Sequence, residues 1–320
     1  MKSIASTVDA TNGDQNPYGL TIAPKTVGKE VAGDLIVCNF SDKANVNGNG
    51  TTIEDISPTS GAVTQLIQNS ALKGCDAVAM APNGNVWAAD YSANNNPIIS
   101  ANGTINTTLA QGPWSGPWGQ AFNTGTAPNP SFFVTNATNG TVIRINILAP
   151  TPPSTAPTFT FDTILTGLTY NNGAPGNILA PAGLTYEKAS DSLYIVDSNA
   201  NRVIKIAGAS SAPPNTYAAT GSTFNTPMVS TVYSGAPLAS PISMAELTNG
   251  NLVIGNTVAN SYGNNVLVEL NPATQSIVSQ INVDSNAAGA LFGIAAATVN
   301  GTQFIYYNDD NNNTVNSLSP

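Results

Sequence analysis

The sequence predicts an all-β fold: a six-bladed β-propeller with four antiparallel strands per blade, the last blade closed by the N-terminal strand. Three observations predict it. Apolar–polar alternation of period two runs along the chain, punctuated by Gly, Pro and Asn, with almost no segment of helical period. A unit of apolar strand, Asp or Asn, turn and second apolar strand recurs six times, with the Asp/Asn residues 46 to 61 positions apart. Each copy is flanked by further strand patterns in the same order. A four-stranded sheet cannot bury both faces alone. Six of them packed radially can, and closing the ring hides the ends.

The first strand of each unit reads "PYGLTIA" (17–23), "GCDAVAM" (74–80), "PWGQAFN" (117–123), "PAGLTYE" (181–187), "PISMAEL" (241–247) and "LFGIAAA" (291–297). Its third residue is Gly19, Asp76, Gly119, Gly183, Ser243 or Gly293, a mostly small column suited to close backbone approach. The second strand reads "DLIVCNF" (34–40), "NVWAADY" (85–91), "SFFVTNA" (131–137), "SLYIVDS" (192–198), "NLVIGNT" (251–257) and "QFIYYND" (303–309). It carries the Asp/Asn column Asn39, Asp90, Asn136, Asp197, Asn256 and Asn308. One polar residue per unit, just after a strand, reads as an acceptor for the following turn rather than as a metal ligand.

Third strands follow at 51–57, 96–102, 140–146, 201–207, 264–270 and 313–319, and fourth strands at 62–68, 104–110, 161–167, 227–233 and 276–282. The sixth unit has no fourth strand before the chain stops. Its place is taken by "SIASTVD" (3–9), which reads like "MVSTVYS". The whole chain, 1–320, is therefore expected to be one domain with blades near 17–68, 74–110, 117–167, 181–233, 241–282 and 291–319 plus 3–9. The long connections 147–158, 168–180 and 208–226 are expected to decorate one face.

The pattern "PAGLTYEKASDSLYIVDSNANRVIKI", with "NPYGLTIAP" and "GDLIVCNF" in the first unit, resembles the NHL repeat of six-bladed propellers. The resemblance covers nearly the whole chain. It is looser where Asp76 and Ser243 replace glycine. It implies the fold, and a family that includes scaffolds, ligand binders and some enzymes.

Composition excludes several functions. Charged residues make up 8% of the chain and the net charge is −9, so no basic patch exists for nucleic acid. There is no histidine, which removes Ser-His-Asp and Cys-His catalysis and His-ligated zinc. No apolar run is long enough for a membrane span, and "MKSIASTVDA" has no apolar core of a signal peptide. The Asn, Thr and Ser content and the single cysteine pair point to an extracellular or periplasmic protein. With 18 carboxylates, no histidine and nine Lys and Arg, full protonation leaves a side-chain charge of only +9. That suits an acid-stable protein.

Inner strands line the channel of a propeller, so Tyr18, Trp118, Ile242 and Phe292 are expected near one mouth, with Trp114 beside them in "GPWSGPWG". Aromatics there would form a platform for a carbohydrate or protein partner; the competing expectation is packing between blades. Cys38 and Cys75 fall at the same height in neighbouring blades, so a disulfide is reachable; two free thiols are the other possibility. Some six-bladed relatives hydrolyse lactones or phosphoesters with a channel calcium, and the resemblance assigns Asp76, Asp90 and Glu246 to that role. No cofactor is otherwise expected. The leading reading is a secreted, non-catalytic binding or scaffold propeller. The calcium hydrolase and a structural subunit of a surface layer or filament are the alternatives.

Overall fold

A computed structural model of the protein describes residues 1–123, 130–151, 154 and 156–319. Six small antiparallel sheets stand in a ring. The N-terminal strand β1 (Lys2–Ser6) belongs to the last of them. Blade 1 holds β2 (Gln15–Ile22), β3 (Leu35–Ser41), β4 (Thr52–Ile56) and β5 (Val63–Gln68). Blade 2 holds β6 (Cys75–Met80), β7 (Val86–Asp90), β8 (Asn96–Ile99) and β9 (Ile105–Leu109). Blade 3 begins with β10 (Pro117–Asn123), β11 (Ser131–Asn136), β12 (Thr141–Leu148) and β13 (Thr158–Thr166). Blade 4 holds β14 (Pro181–Glu187), β15 (Ser192–Asp197), β16 (Arg202–Ala207) and, further on, β19 (Val229–Ser234). Between those last two, the hairpin β17 (Tyr217–Thr220) and β18 (Thr223–Phe224) leaves its own blade and joins blade 3. Blade 5 is β20 (Pro241–Glu246), β21 (Leu252–Asn256), β22 (Asn265–Asn271) and β23 (Ser276–Asp284). Blade 6 is β24 (Ile294–Val299), β25 (Thr302–Asp309) and β26 (Thr314–Leu318), completed by β1. The described residues contain no α-helix, only the 3-10 turns Ser198–Ala200 and Ala209–Ser211.

The burial of each strand follows its position in the blade. Every residue of β3, β7, β11, β15 and β21 is buried, because these second strands are covered on both faces by neighbouring blades. They accordingly read as continuous apolar runs, "LIVC" or "SLYIV", rather than as alternating ones. The outermost strands β5, β9 and β23 are only partly covered and keep polar residues such as Gln65, Thr107 and Ser279.

The small-residue column has a geometric cause. Each inner strand packs against the inner strand of the next blade around the whole ring. A β-carbon on Gly19 would stand 2.8 Å from the Val78 nitrogen, and one on Gly183 would stand 2.8 Å from the Ile242 carbonyl oxygen. Strand pairing also shifts register at this level, between Pro17 and Gly19, Cys75 and Ala77, Pro117 and Gln120, Pro181 and Leu184, and Pro241 and Ser243. A bulge turns the strand while the missing side chain lets it approach the axis.

The Asp/Asn column is mostly a brace, but not the one expected. Asn136 accepts from the Ser115 N–H and donates to the Pro113 carbonyl; Asn256 accepts from the Ala239 N–H and donates to the Pro237 carbonyl. These bonds tie the second strand back to the loop entering the same blade. Asn308 instead reaches blade 1, donating to the Tyr18 and Gly19 carbonyls. Asp197 does hold the turn that follows, through an ion pair with Arg202 at 2.8 Å, and so does Asn136, which also donates to the Thr141 hydroxyl at 3.0 Å.

The ring is closed and stapled. β1 pairs antiparallel with β26, Lys2 opposite Ser317 and Ser6 opposite Thr314. Cys38 and Cys75 form a disulfide between β3 and β6, with their α-carbons 5.9 Å apart. The long connections do not gather on one face: Gly176–Leu179 borders the channel mouth, whereas β17 pairs in parallel with the outer strand β13, Leu165 opposite Tyr217.

Two stability measurements follow. Gly183→Ala forces a β-carbon onto the next blade, and urea unfolding should show a loss of roughly 1–3 kcal/mol. The double substitution Cys38→Ala, Cys75→Ala should cost roughly 2–4 kcal/mol by the same assay, and reductant should reproduce that loss in the parent protein.

Candidate functional site at the channel mouth

The inner strands all begin at one end of the ring, so their first residues converge. Tyr18, Trp118, Ile242 and Phe292 meet there, as the strand pattern predicts. The Tyr18 ring is sandwiched between Phe40, at 4.3 Å and 10°, and Phe292, at 3.8 Å and 9°. Trp118 is tilted against Tyr18 at 6.3 Å, and Tyr91 meets Trp118 edge-on at 5.8 Å. Tyr18 and Trp118 are 2% and 3% exposed, so neither is an open platform. Phe292, half-buried at the end of the stack, is the ring left to face the mouth.

Two cavities share Tyr18, Ile242 and Phe292 as walls. The outer one, about 450 Å³, is bordered by Asn16, Asn45, Asn47, Asn177, Thr257 and Asp310. Its asparagines are locked together. Asn16 Nδ2 donates to Asn45 Oδ1 at 2.6 Å and to Asn47 Oδ1 at 3.3 Å, and Asn47 Nδ2 donates to the Pro175 carbonyl. Asn16 and Asn45 both take φ of 60°, a left-handed conformation that asparagine tolerates better than most residues. The inner cavity, about 70 Å³, reaches the small-residue column and is walled by Asp76, Gln120 and Ser243 among others.

Asp76 and Asp90 lie together at this level, in a blade interior with no cation beside them. They are 2% and 0% exposed, and neither carboxyl oxygen of Asp76 has a hydrogen-bond partner. Burial, then the Asp90 charge, pushes Asp76 far above the carboxylate range. Burial pushes Asp90 up to about 8, with the Lys73 backbone N–H pulling the other way. Burial, with Asp310 and Asp76 adding to it, likewise raises the Tyr18 hydroxyl.

Two expected members of the site lie elsewhere. Trp114 is buried at the rim between blades 2 and 3: its Nε1 donates to the Leu109 carbonyl at 2.5 Å and its ring meets Phe161 edge-on at 5.8 Å. Its four-residue offset from Trp118 places it in the loop before β10, not at the start of an inner strand. Glu246 ends β20, at the opposite end of the channel from Asp76, where burial and the Glu187 charge push it up to about 7. Asp76, Asp90 and Glu246 therefore form no cluster. Among the described residues no group of three or more acidic, cysteine or histidine side chains is arranged for a metal. Two carboxylates fall short of the roughly six to eight oxygens that calcium takes, so this donor set does not fit calcium.

Phe40, Tyr91 and Asp310 were not anticipated. The signal was available: Phe40 and Tyr91 each directly follow the Asp/Asn column, after Asn39 and Asp90, and Asp310 stands two places after Asn308.

No family model matches this chain, and no curated protein matches it in sequence. Solved structures do resemble it. A streptogramin B lyase superposes with a TM-score of 0.54 at 18% identity, over 98% of this chain and 86% of that one. A catalytically inactive histidine-to-alanine virginiamycin B lyase of Staphylococcus aureus, with quinupristin, gives 0.57 at 17% over 98% and 97%. A nidogen/laminin complex gives 0.55 at 15% over 88% and 85%. These likenesses establish the propeller fold, which is shared by enzymes and by proteins that bind other proteins.

The acidic groups also set a pH response. Burial raises Glu54 and Asp90 to about 8, and Glu30, Asp55, Glu246 and Asp310 to about 7. A carboxyl with a higher pKa folded than unfolded binds more protons in the folded state. Stability should therefore rise as pH falls from about 8 to about 4, then level off. Asp42 opposes this: the Val46 N–H holds it below its usual value, so its contribution is lost in stronger acid. Denaturant midpoints at pH 8, 6 and 4 measure the trend; a lower midpoint at pH 4 than at pH 8 contradicts it.

Proposed function

We propose that this chain is a non-catalytic binding propeller, working outside the cytoplasm, whose channel mouth takes a carbohydrate ligand. The observation that carries the reading is Phe292. It ends a three-ring stack and borders a cavity of about 450 Å³ edged by asparagines. A sugar ring offers one apolar face and a rim of hydroxyls. The apolar face suits the Phe292 ring, and the hydroxyls suit amide side chains already held in place. The rigidity of the Asn16–Asn45–Asn47 network lowers the entropy that binding must overcome.

Two further points favour binding over catalysis. The inactive lyase with quinupristin carries alanine in place of a histidine, and this chain has no histidine for such a role. The residues at the mouth also lack an activated nucleophile with a base beside it. The Cys38–Cys75 disulfide supports an oxidising location.

A glycan array followed by isothermal titration tests the reading. The parent protein is expected to bind a neutral oligosaccharide, and Phe292→Ala, which loses the stack on Tyr18 and so some stability, is expected to weaken it roughly tenfold or more at a temperature where the variant is fully folded. Absence of any neutral glycan ligand, or equal affinity in the variant, overturns it.

A further inference from the structure

Asp76 is the exception in the small-residue column. Where four other blades place glycine, blade 2 places a carboxylate. It sits in the bulge of β6, between Cys75 opposite Asp90 and Ala77 opposite Ala89, outside the regular pairing. Bulges of this kind re-aim a side chain. Here the side chain forms part of the wall of the inner cavity.

Gln120 and Ser243 of that wall are already engaged. Gln120 donates to the Ala77 carbonyl at 2.7 Å and the Trp87 carbonyl at 3.2 Å, and accepts from Asn96 at 2.6 Å. Ser243 donates to the Leu291 carbonyl at 2.6 Å. Asp76 alone has neither oxygen partnered, and it is 2% exposed. Its ionisable surroundings are Asp90, Tyr18 and Tyr91, none of them cationic. Neither cavity is walled by a lysine or arginine. The ion pairs of the described residues, Arg144–Asp162 and Arg202–Asp197, are in blades 3 and 4. A buried carboxyl without a partner keeps its proton until a cation takes the proton's place, and pairing with that cation then compensates the buried charge.

We propose that the channel floor is a site for an organic ammonium group, with Asp76 as its counter-ion and Trp118, Gln120 and Ile242 among its walls. Size and surroundings select this class of cation. The inner cavity of about 70 Å³ takes an aminomethyl-sized group, being worth about two water molecules. A singly charged ammonium can be neutralised by one carboxylate, whereas a calcium ion demands more oxygens than this floor provides. The ligand is then an amine-bearing molecule, such as an amino sugar, whose neutral part rests on Phe292 while its ammonium enters the channel past Tyr18 and Ile242. The inference deepens the reading above, and rests on it for the neutral part of the ligand.

The test uses the full chain and three probes: methylammonium chloride, calcium chloride and methanol, with sodium chloride holding ionic strength constant. Methylammonium is expected to give a saturable change in tryptophan fluorescence, with methanol inert and calcium not competing. Asp76→Asn should weaken methylammonium roughly tenfold to a hundredfold. Calcium displacing methylammonium, or neither ion binding, overturns the proposal. So does a variant that folds and binds methylammonium as tightly as the parent. If Asp76→Asn does not fold, the contrast of methylammonium with methanol and calcium in the parent protein still decides. Binding of methylammonium without any neutral oligosaccharide defeats the glycan reading while leaving the ammonium site standing.

Discussion

The crowding of six inner strands around one axis governs the rest of this molecule. At Gly19 and Gly183 the backbone of the next blade occupies the space a β-carbon would need. That spacing forces small residues into the column, places the register shifts beside them, and narrows the channel to about 70 Å³ at its floor. It also fixes how the blades cover one another. Second strands such as β3 and β15 are buried on both faces only because the inner strands bring their blades close. The aromatic stack is a product of the same convergence. Phe40, Tyr18 and Phe292 come from blades 1 and 6, and they stack because the inner strands β2 and β24 meet near their starts.

The fold was legible because repetition multiplied a weak signal. One alternating run such as "SLYIVDS" is ambiguous, whereas six in register, each behind a small residue, leave little freedom. The closing strand was legible through its likeness to another fourth strand. The site was legible only where position in the repeat determines position in space. Tyr18, Trp118 and Ile242 lie near the starts of inner strands and Phe292 just before one, and therefore they meet. Trp114 lies in a loop, where sequence distance from Trp118 carries no such information. Glu246 lies on an inner strand too, but at its far end, and a strand of about six residues spans roughly 20 Å. What escaped the sequence entirely was long-range: the β17–β18 hairpin crossing to another blade, and the mutual bonding of Asn16, Asn45 and Asn47.

Electrostatics here depends on where the few charges stand. The chain has nine Lys and Arg against 18 Asp and Glu, and the described residues use cations in only two ion pairs. The buried acids are left facing one another. Asp76 neighbours Asp90, Glu54 neighbours Asp9, Asp55 neighbours Asp34, and Glu246 neighbours Glu187. Such pairs are at ease when protonated and strained when ionised. The same chemistry that adapts the scaffold to acid makes one member of it, at the channel floor, receptive to a cation.

The seams between blades are reinforced unequally. Blades 1 and 2 are bolted by the disulfide, and blades 3 and 4 are laced by backbone bonds from the borrowed β17–β18 hairpin. Blade 6 is completed by a strand that runs directly on into blade 1. Among the described residues the joints between blades 2 and 3, 4 and 5, and 5 and 6 carry no disulfide or shared strand and are fastened by side chains instead: Gln120 to Ala77, Trp87 and Asn96, Ser198 to the Pro241 carbonyl, and Ser243 to the Leu291 carbonyl.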